Sequence, residues 1–192
     1  DLLNVNRIEE GRFVIQAKLF SLSELIEGVV RELKLMAESQ HVDLIFKNHK
    51  NYEVYADQEK VRMVVQNLID NAIKYSKKEG GKVEITIGAE KDKDKMIKVN
   101  VKDNGVGIST LVRKQVFGKF FRGDNLIKQK VEGTGLGLFI AKGIIKLSEG
   151  DMGFESTDGV GSEFWFTLPI PDKRKINQNQ NNQNNQNNQN IK

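Results

Sequence analysis

Three short stretches in fixed order constrain this chain more than anything else in it. Residues 67–76 set Asn67, Asn71 and Lys74 among apolar neighbours, Asp103-Asn104-Gly105-Val106-Gly107-Ile108 follows, and Gly133-Thr134-Gly135-Leu136-Gly137-Leu138 comes third. At 100° per residue, Asn67, Asn71 and Lys74 fall within about 60° of one another on a helix. Val61, Val64, Val65, Leu68, Ile69, Ala72 and Ile73 form the apolar stripe of that helix, and Asp57 is placed to cap it. Two amides and a cation are thus expected to look outward together from an anchored helix, with two glycine-rich turns downstream.

Each piece alone has an ordinary explanation: a solvated polar face, a tight turn, a helix start. Together they describe a pocket for a magnesium nucleotide. Amide oxygens suit Mg²⁺, which takes oxygen donors and keeps several waters, and Lys74 can meet a phosphate as a point charge. Asp103 can accept a hydrogen bond from an adenine amino group, with Gly105 and Gly107 letting the backbone approach the base. Free N–H groups at a helix start bind anions, a task for Gly133, Gly135 and Gly137. Their G-x-G-x-G spacing departs from the dinucleotide fingerprint, and no G-x-x-x-x-G-K-[ST] segment occurs. Neither a Rossmann unit nor a P-loop is expected.

Around these stretches the pattern is mixed α and β. Residues 1–12 read as the tail of a helix, ended by Gly11. Residues 13–20 read as a short extended piece, and Ser21-Leu22-Ser23-Glu24 as a capping box. A helical stripe of Leu22, Leu25, Ile26, Val29, Val30, Leu33 and Met36 follows. Strands are predicted at 42–46, 52–56, 83–88, 96–101, 153–156 and 162–168, with a charged turn through 91–95 and a helix at 136–147. Residues 109–132 show little periodicity and read as a long functional loop. Phe117, Phe120 and Phe121 within it suit either a core or a lid. From Asn177 to Asn190 every residue is Asn or Gln, a composition that cannot bury a core. The expected fold is α+β: a two-layer sandwich of a mixed sheet packed on three helices.

The absence of cysteine removes disulfides and thiolate metal sites, and His41 and His49 read as surface residues. No apolar run approaches the roughly 18 residues of a membrane span, so a cytoplasmic domain is expected, with a membrane-anchored parent left open. The net charge is +4, and its densest basic cluster is Arg113, Lys114, Lys119, Arg122, Lys128 and Lys130. Lying between the glycine motifs, it suits the phosphates of a small nucleotide, and no nucleic-acid partner is expected.

The ordered set resembles the catalytic ATP-binding domain of sensor histidine kinases, in the GHKL superfamily. Residues 67–76 look like the N box, 103–108 the G1 box, 117–121 the F box, 133–138 the G2 box and 159–169 the closing strands. The resemblance covers about 1–171. It implies ATP and Mg²⁺ as cofactors, Asn71 as the metal ligand, and Asn67 beside it contacting phosphate or metal. Lys74 would hold phosphate, so that Asn67 and Lys74 carry the catalytic roles. Tyr75 would border the adenine and Asp103 would read its amino group, with Gly105, Gly107 and Ile108 shaping the base pocket. Arg122 would contact phosphate from the lid, and the backbone of Gly133, Thr134, Gly135, Leu136, Gly137 and Leu138 would cradle the phosphates. ATP-hydrolysing members of the superfamily carry a glutamate base where Asn67 stands here, and an amide cannot take a proton from water. Transfer to a protein nucleophile is therefore expected over hydrolysis.

The resemblance also divides the chain. Residues 1–12 look like the end of a dimerisation and phosphoacceptor helix, 13–171 like the catalytic domain, and 172–192 like a linker or tail. The acceptor histidine would lie upstream, so the piece in hand should be monomeric and bind ATP with little turnover. Its partners would be the dimerisation and phosphoacceptor domain of the same parent, and a downstream receiver domain or response regulator. Two other readings are a serine kinase of the same superfamily and a degenerate nucleotide-binding docking module.

Overall fold

A computed structural model describes residues 2–48, 50–89, 95–122 and 133–171. The chain opens with helix α1 (Leu2–Glu9). Gly11 ends it at φ 66°, with Arg12 N–H donating to Arg7 O at 2.8 Å and Gly11 N–H to Ile8 O at 3.3 Å. This paired closure favours glycine, which has no Cβ, at the left-handed position. Strand β1 (Lys18–Ser21) leads into helix α2 (Leu22–Ser39), where Ser21 Oγ accepts the Glu24 N–H at 3.0 Å. Strands β2 (Val42–Lys47) and β3 (Glu53–Ala56) precede helix α3 (Gln58–Tyr75). Asp57 caps α3 through Oδ1, 3.1 Å from Lys60 N, while its Oδ2 accepts the Gln16 N–H at 2.9 Å. Strands β4 (Gly81–Ala89) and β5 (Met96–Asp103), helix α4 (Gly137–Leu147), and strands β6 (Met152–Thr157) and β7 (Gly161–Pro169) complete the domain.

Five strands form one mixed sheet in the order β2-β4-β5-β7-β6. β2 runs parallel to β4, from Val42 opposite Gly81 to Lys47 opposite Thr86, and the other pairs are antiparallel. A parallel pair needs a long crossover, and α3 supplies it. Helices α2, α3 and α4 cover the sheet, with α3 packed on both of the others and on β4 and β5. All seven apolar residues predicted for the α3 stripe are buried, against Val83, Ile85, Val99, Val101, Phe166 and Leu168 of the sheet. Burial of such a stripe contributes roughly 10–20 kcal/mol before conformational entropy is subtracted. The other sheet face is polar: Asn100 Nδ2 donates to Thr86 Oγ1 at 3.2 Å, and Lys98 Nζ lies 4.6 Å from the Trp165 ring centre.

The expected two-layer α+β architecture is the observed one. The extended piece expected at 13–20 differs: only its end is strand, and β1 pairs antiparallel with β3 in a separate two-stranded sheet. Phe20 lies opposite Val54 there and both are buried, while Leu19 is exposed, so one face of the pair packs inward. His49, most of the 91–95 turn, residues 123–132 of the long loop, and 172–192 lie outside the described residues. Among the described residues, no helix is long and apolar enough to cross a membrane.

Candidate functional site

Helix α3 buries one side and turns a polar stripe toward α4. Asn67, Asp70, Asn71 and Lys74 are each half-buried, so the stripe flanks a cleft rather than facing open solvent. Asn71 Nδ2 donates to Asn67 Oδ1 at 2.9 Å, which leaves Asn71 Oδ1 without a hydrogen-bond donor among the described residues. Lys74 Nζ lies 2.6 Å from Asp70 Oδ2, one helical turn back. The start of α4 comes against this stripe so closely that a Cβ on Gly137 would sit 1.9 Å from Asn67 Nδ2. Leu136, the residue before α4, makes no side-chain cap, so the first N–H groups of the helix stay uncapped by that residue.

The opposite wall is built at the end of β5. Asp103 is 7% exposed, and its Oδ1 accepts the N–H groups of Gly105 at 2.8 Å and Ser162 at 3.2 Å. Burial pushes its carboxyl above the usual aspartate range, and the two backbone hydrogen bonds partly offset the rise. The turn after it is fixed on every side. Val106 N–H donates to Tyr75 O at 3.1 Å, Gly159 N–H to Val106 O at 2.7 Å, and Ile108 N–H to Ser156 Oγ at 2.8 Å. Asn104 accepts the Lys82 N–H through its side chain at 2.8 Å and donates to Gly80 O, also at 2.8 Å.

These pieces enclose one cleft of about 820 Å³. Asn67, Asn71, Lys74, Tyr75, Asp103, Gly107, Ile108, Arg122, Gly133, Thr134, Gly135, Gly137 and Leu138 all line it. The structure therefore brings together residues from all three glycine and asparagine stretches. Gly105 and Leu136 do not line it. A Cβ on Gly105 would be 2.0 Å from Tyr75 O, so this residue supports the turn from behind. Leu136 is 2% exposed and belongs to the core.

The basic cluster separates. Arg122 lines the cleft, but Arg113 donates to Ser156 O and Lys119 pairs with Glu9 of α1. Lys128 and Lys130 lie outside the described residues. The phenylalanines also divide: Phe117 stands edge-on to Phe154 and Phe164, with ring centres 5.7 and 6.4 Å away. Phe121 lines the cleft, and Phe120 is 61% exposed at φ 58°. Asp70, Asp158 and Ser162 line the cleft too, and sequence reasoning missed them. Asp70 had a signal, one turn from Lys74 on the same stripe. Asp158 and Ser162 arrive by the fold-back of β6 on β7, which leaves no local trace.

Gly107 tests the base wall. It sits at φ 69°, and a Cβ there would lie 2.0 Å from Thr157 O. Gly107→Ala combines left-handed strain with a backbone clash and is expected to cost about 2–4 kcal/mol. A lowered urea midpoint at unchanged slope checks this. An unaltered midpoint would contradict the close packing of the 104–108 turn on the β6–β7 hairpin.

The profile of the family described as histidine kinase-, DNA gyrase B- and HSP90-like ATPase matches residues 56–172. Sensor histidine kinase WalK of Bacillus subtilis (strain 168) is 32% identical over 177 residues, 91% of this chain and 28% of that protein. Sensor protein GacS of Pseudomonas syringae pv. syringae is 29% identical over 177 residues, 91% of this chain and 20% of that protein. The chain thus spans less than a third of the length of these curated relatives. A solved catalytic domain of histidine kinase ThkA, nucleotide free, aligns at 27% identity with a TM-score of 0.67, covering 81% of this chain and 96% of that one.

Proposed function

The chain belongs to the histidine kinase-, DNA gyrase B- and HSP90-like ATPase family, as an ATP-binding catalytic domain of the sensor histidine kinase type, and from that premise we propose that it presents the γ-phosphoryl group of Mg-ATP to a histidine on a separate helical domain. The convergence of Asn67, Asn71 and Lys74, Asp103 and the glycine-led start of α4 on one cleft supports this reading best. The names of the relatives favour neither a serine kinase nor a docking module.

Phosphoryl transfer passes through a loose transition state, so positioning and charge neutralisation supply most of the catalysis. Asp103 would orient the base through the oxygen its backbone partners leave available, and Tyr75, Gly107 and Ile108 would border the ring. Gly105 would act from behind, holding the turn against Tyr75. Backbone N–H groups of the Gly133 to Leu138 run would cradle phosphate oxygens, with Leu136, whose N–H donates to Thr134 Oγ1 at 3.4 Å, anchoring that turn in the core and Arg122 closing from the lid side. Lys74 and Asn67 would hold the transferring end. The oxygen-rich, cysteine-free donor set fits Mg²⁺, with Asn71 Oδ1 as the amide ligand and phosphates and waters for the rest. When bound, that ion neutralises charge on the transferring phosphoryl group.

An amide at Asn67 gives no general base for water, so the isolated chain should bind ATP and turn it over slowly. The parent protein would be a larger sensor kinase that relays the phosphoryl group to a response-regulator aspartate. The domain boundaries proposed are 1–12, 13–171 and 172–192. Calorimetric titration with ATP, with and without Mg²⁺, followed by labelled transfer to an acceptor helical domain supplied in trans, tests the proposal. Mg-dependent binding and an acid-labile, base-stable product are expected. Rapid ATP hydrolysis by the chain alone, or no binding at all, would overturn it.

A further inference from the structure

We propose that Asp70 is a positioning residue: it is the resident counter-ion of Lys74, and nucleotide phosphates displace it. The inference rests on the nucleotide reading of the cleft. Asp70 and Lys74 both line that cleft, with Nζ and Oδ2 2.6 Å apart, and their side chains are 28% and 29% exposed. Their neighbours on the stripe, Asn67 and Asn71, are neutral and bonded to each other. At this end of the cleft, therefore, Lys74 has a single anionic partner among these residues, and it is on its own helix.

The charge balance of the lining gives the pair its meaning. Among the described residues of the lining, Asp70, Asp103 and Asp158 face Lys74 and Arg122. Asp103 is held by backbone N–H groups at the base wall, far from a role in neutralising Lys74. A polyanion entering the cleft meets a lysine already paired, so part of the Lys74–phosphate attraction goes to breaking the Asp70 contact. In the free protein the same contact keeps the flexible lysine stem folded back along α3, one turn from Asn71, instead of leaving it extended into solvent. Lys74 is thereby stored next to where it is used, and Asp70 reclaims it when the phosphates leave.

The test is a double-mutant cycle on the full chain, reading the Kd of ATP and of ADP by calorimetry without metal and with Mg²⁺. Asp70→Asn is expected to tighten metal-free nucleotide binding, because it removes both the competing partner and its repulsion of phosphate. Repulsion alone acts equally with or without the lysine. The gain should therefore exceed the gain measured in a Lys74→Met background by about two- to fivefold, the scale of a partly exposed i,i+4 ion pair. Asp70→Glu, which keeps the charge within reach of Lys74, should bind like the parent. Equal gains in the two backgrounds, or no gain, would overturn the counter-ion role. Weaker binding of Asp70→Asn only in Mg²⁺ would also overturn it, by making the carboxylate a metal ligand. Asp70→Ser repeats the cycle should the asparagine variant lose its thermal transition. If the parent chain binds no nucleotide, the reading of the cleft itself fails. If it binds but the cycle shows no coupling, only the role of Asp70 fails.

Discussion

Asp103→Asn is expected to weaken ATP binding by about 100-fold or more, with the fold intact. The direction follows from bonds already made. Oδ1 accepts two backbone N–H groups, from Gly105 and Ser162, and only an oxygen can take that place. An asparagine must therefore keep its oxygen there and turn its NH₂ toward the cleft, where a donor would confront the proposed adenine amino donor. Loss of a hydrogen bond to a charged acceptor costs about 1.5–3 kcal/mol, and an unpaired buried donor adds about 1–3 kcal/mol. Calorimetry measures the loss, and the thermal transition shows that it is local. Affinity within a few-fold of the parent would remove Asp103 from base recognition.

The same carboxyl sets an acid limit. Its folded-state pKa is raised from 3.8 by burial. Between the ordinary value and the raised one, the folded chain binds more protons than the unfolded chain. Stability contributed by this group is therefore present at lower pH and falls as pH rises through that window. Binding has the opposite slope, because Oδ1 is already held by two backbone N–H groups and a proton on the carboxyl would make Oδ2 a donor facing the proposed adenine amino donor. ATP affinity should decline on acidification at a higher pH than an ordinary aspartate would give, and this dependence should be missing from Asp103→Asn.

Asn71→Ala is expected to lower phosphoryl transfer to an acceptor domain by about 10²–10³-fold, the scale seen when one group aimed at developing charge is removed. Two losses combine. The oxygen proposed as the metal ligand disappears, and so does the amide that donates to Asn67 Oδ1 at 2.9 Å. Metal-free ADP binding should change little, since base and glycine contacts persist. The ratio of Kd with and without Mg²⁺ is the discriminating quantity. A variant that keeps the parent's ratio would move the metal off Asn71.

Much of this could be read from residue order. The caps Ser21 and Asp57, the α3 stripe and the strands of the main sheet are local signals, and local chemistry decides them. The pocket-lining residues of the three stretches were legible for a related reason: Asn67, Asn71 and Lys74 recur at helical spacing on α3, and the glycines cluster in the turns after β5 and before α4. What could not be read depends on the fold closing. The pairing of β1 with β3 joins residues more than thirty positions apart. Arg113 and Lys119 looked like phosphate ligands by position, yet Ser156 O and Glu9 claim them across the fold. Gly105 and Leu136 sit within motif stretches but face inward, because Gly105 packs its Cα on the Tyr75 carbonyl and Leu136 is drawn into the core, contacts that form only when the fold closes.

The bond from Val106 N–H to Tyr75 O, at 3.1 Å, joins the last turn of α3 to the loop behind Asp103. With no Cβ on Gly105, the two backbones meet without a spacer. The proposed base-reading turn and the α3 stripe that carries Lys74 and Asn71 are thus joined backbone to backbone, a gauge of fixed length rather than a jaw. Such a gauge responds to how far a ligand's charged tail lies from its base. Chemical variety along the ligand can be tolerated, but a change of that span cannot be absorbed by sliding one wall along the other.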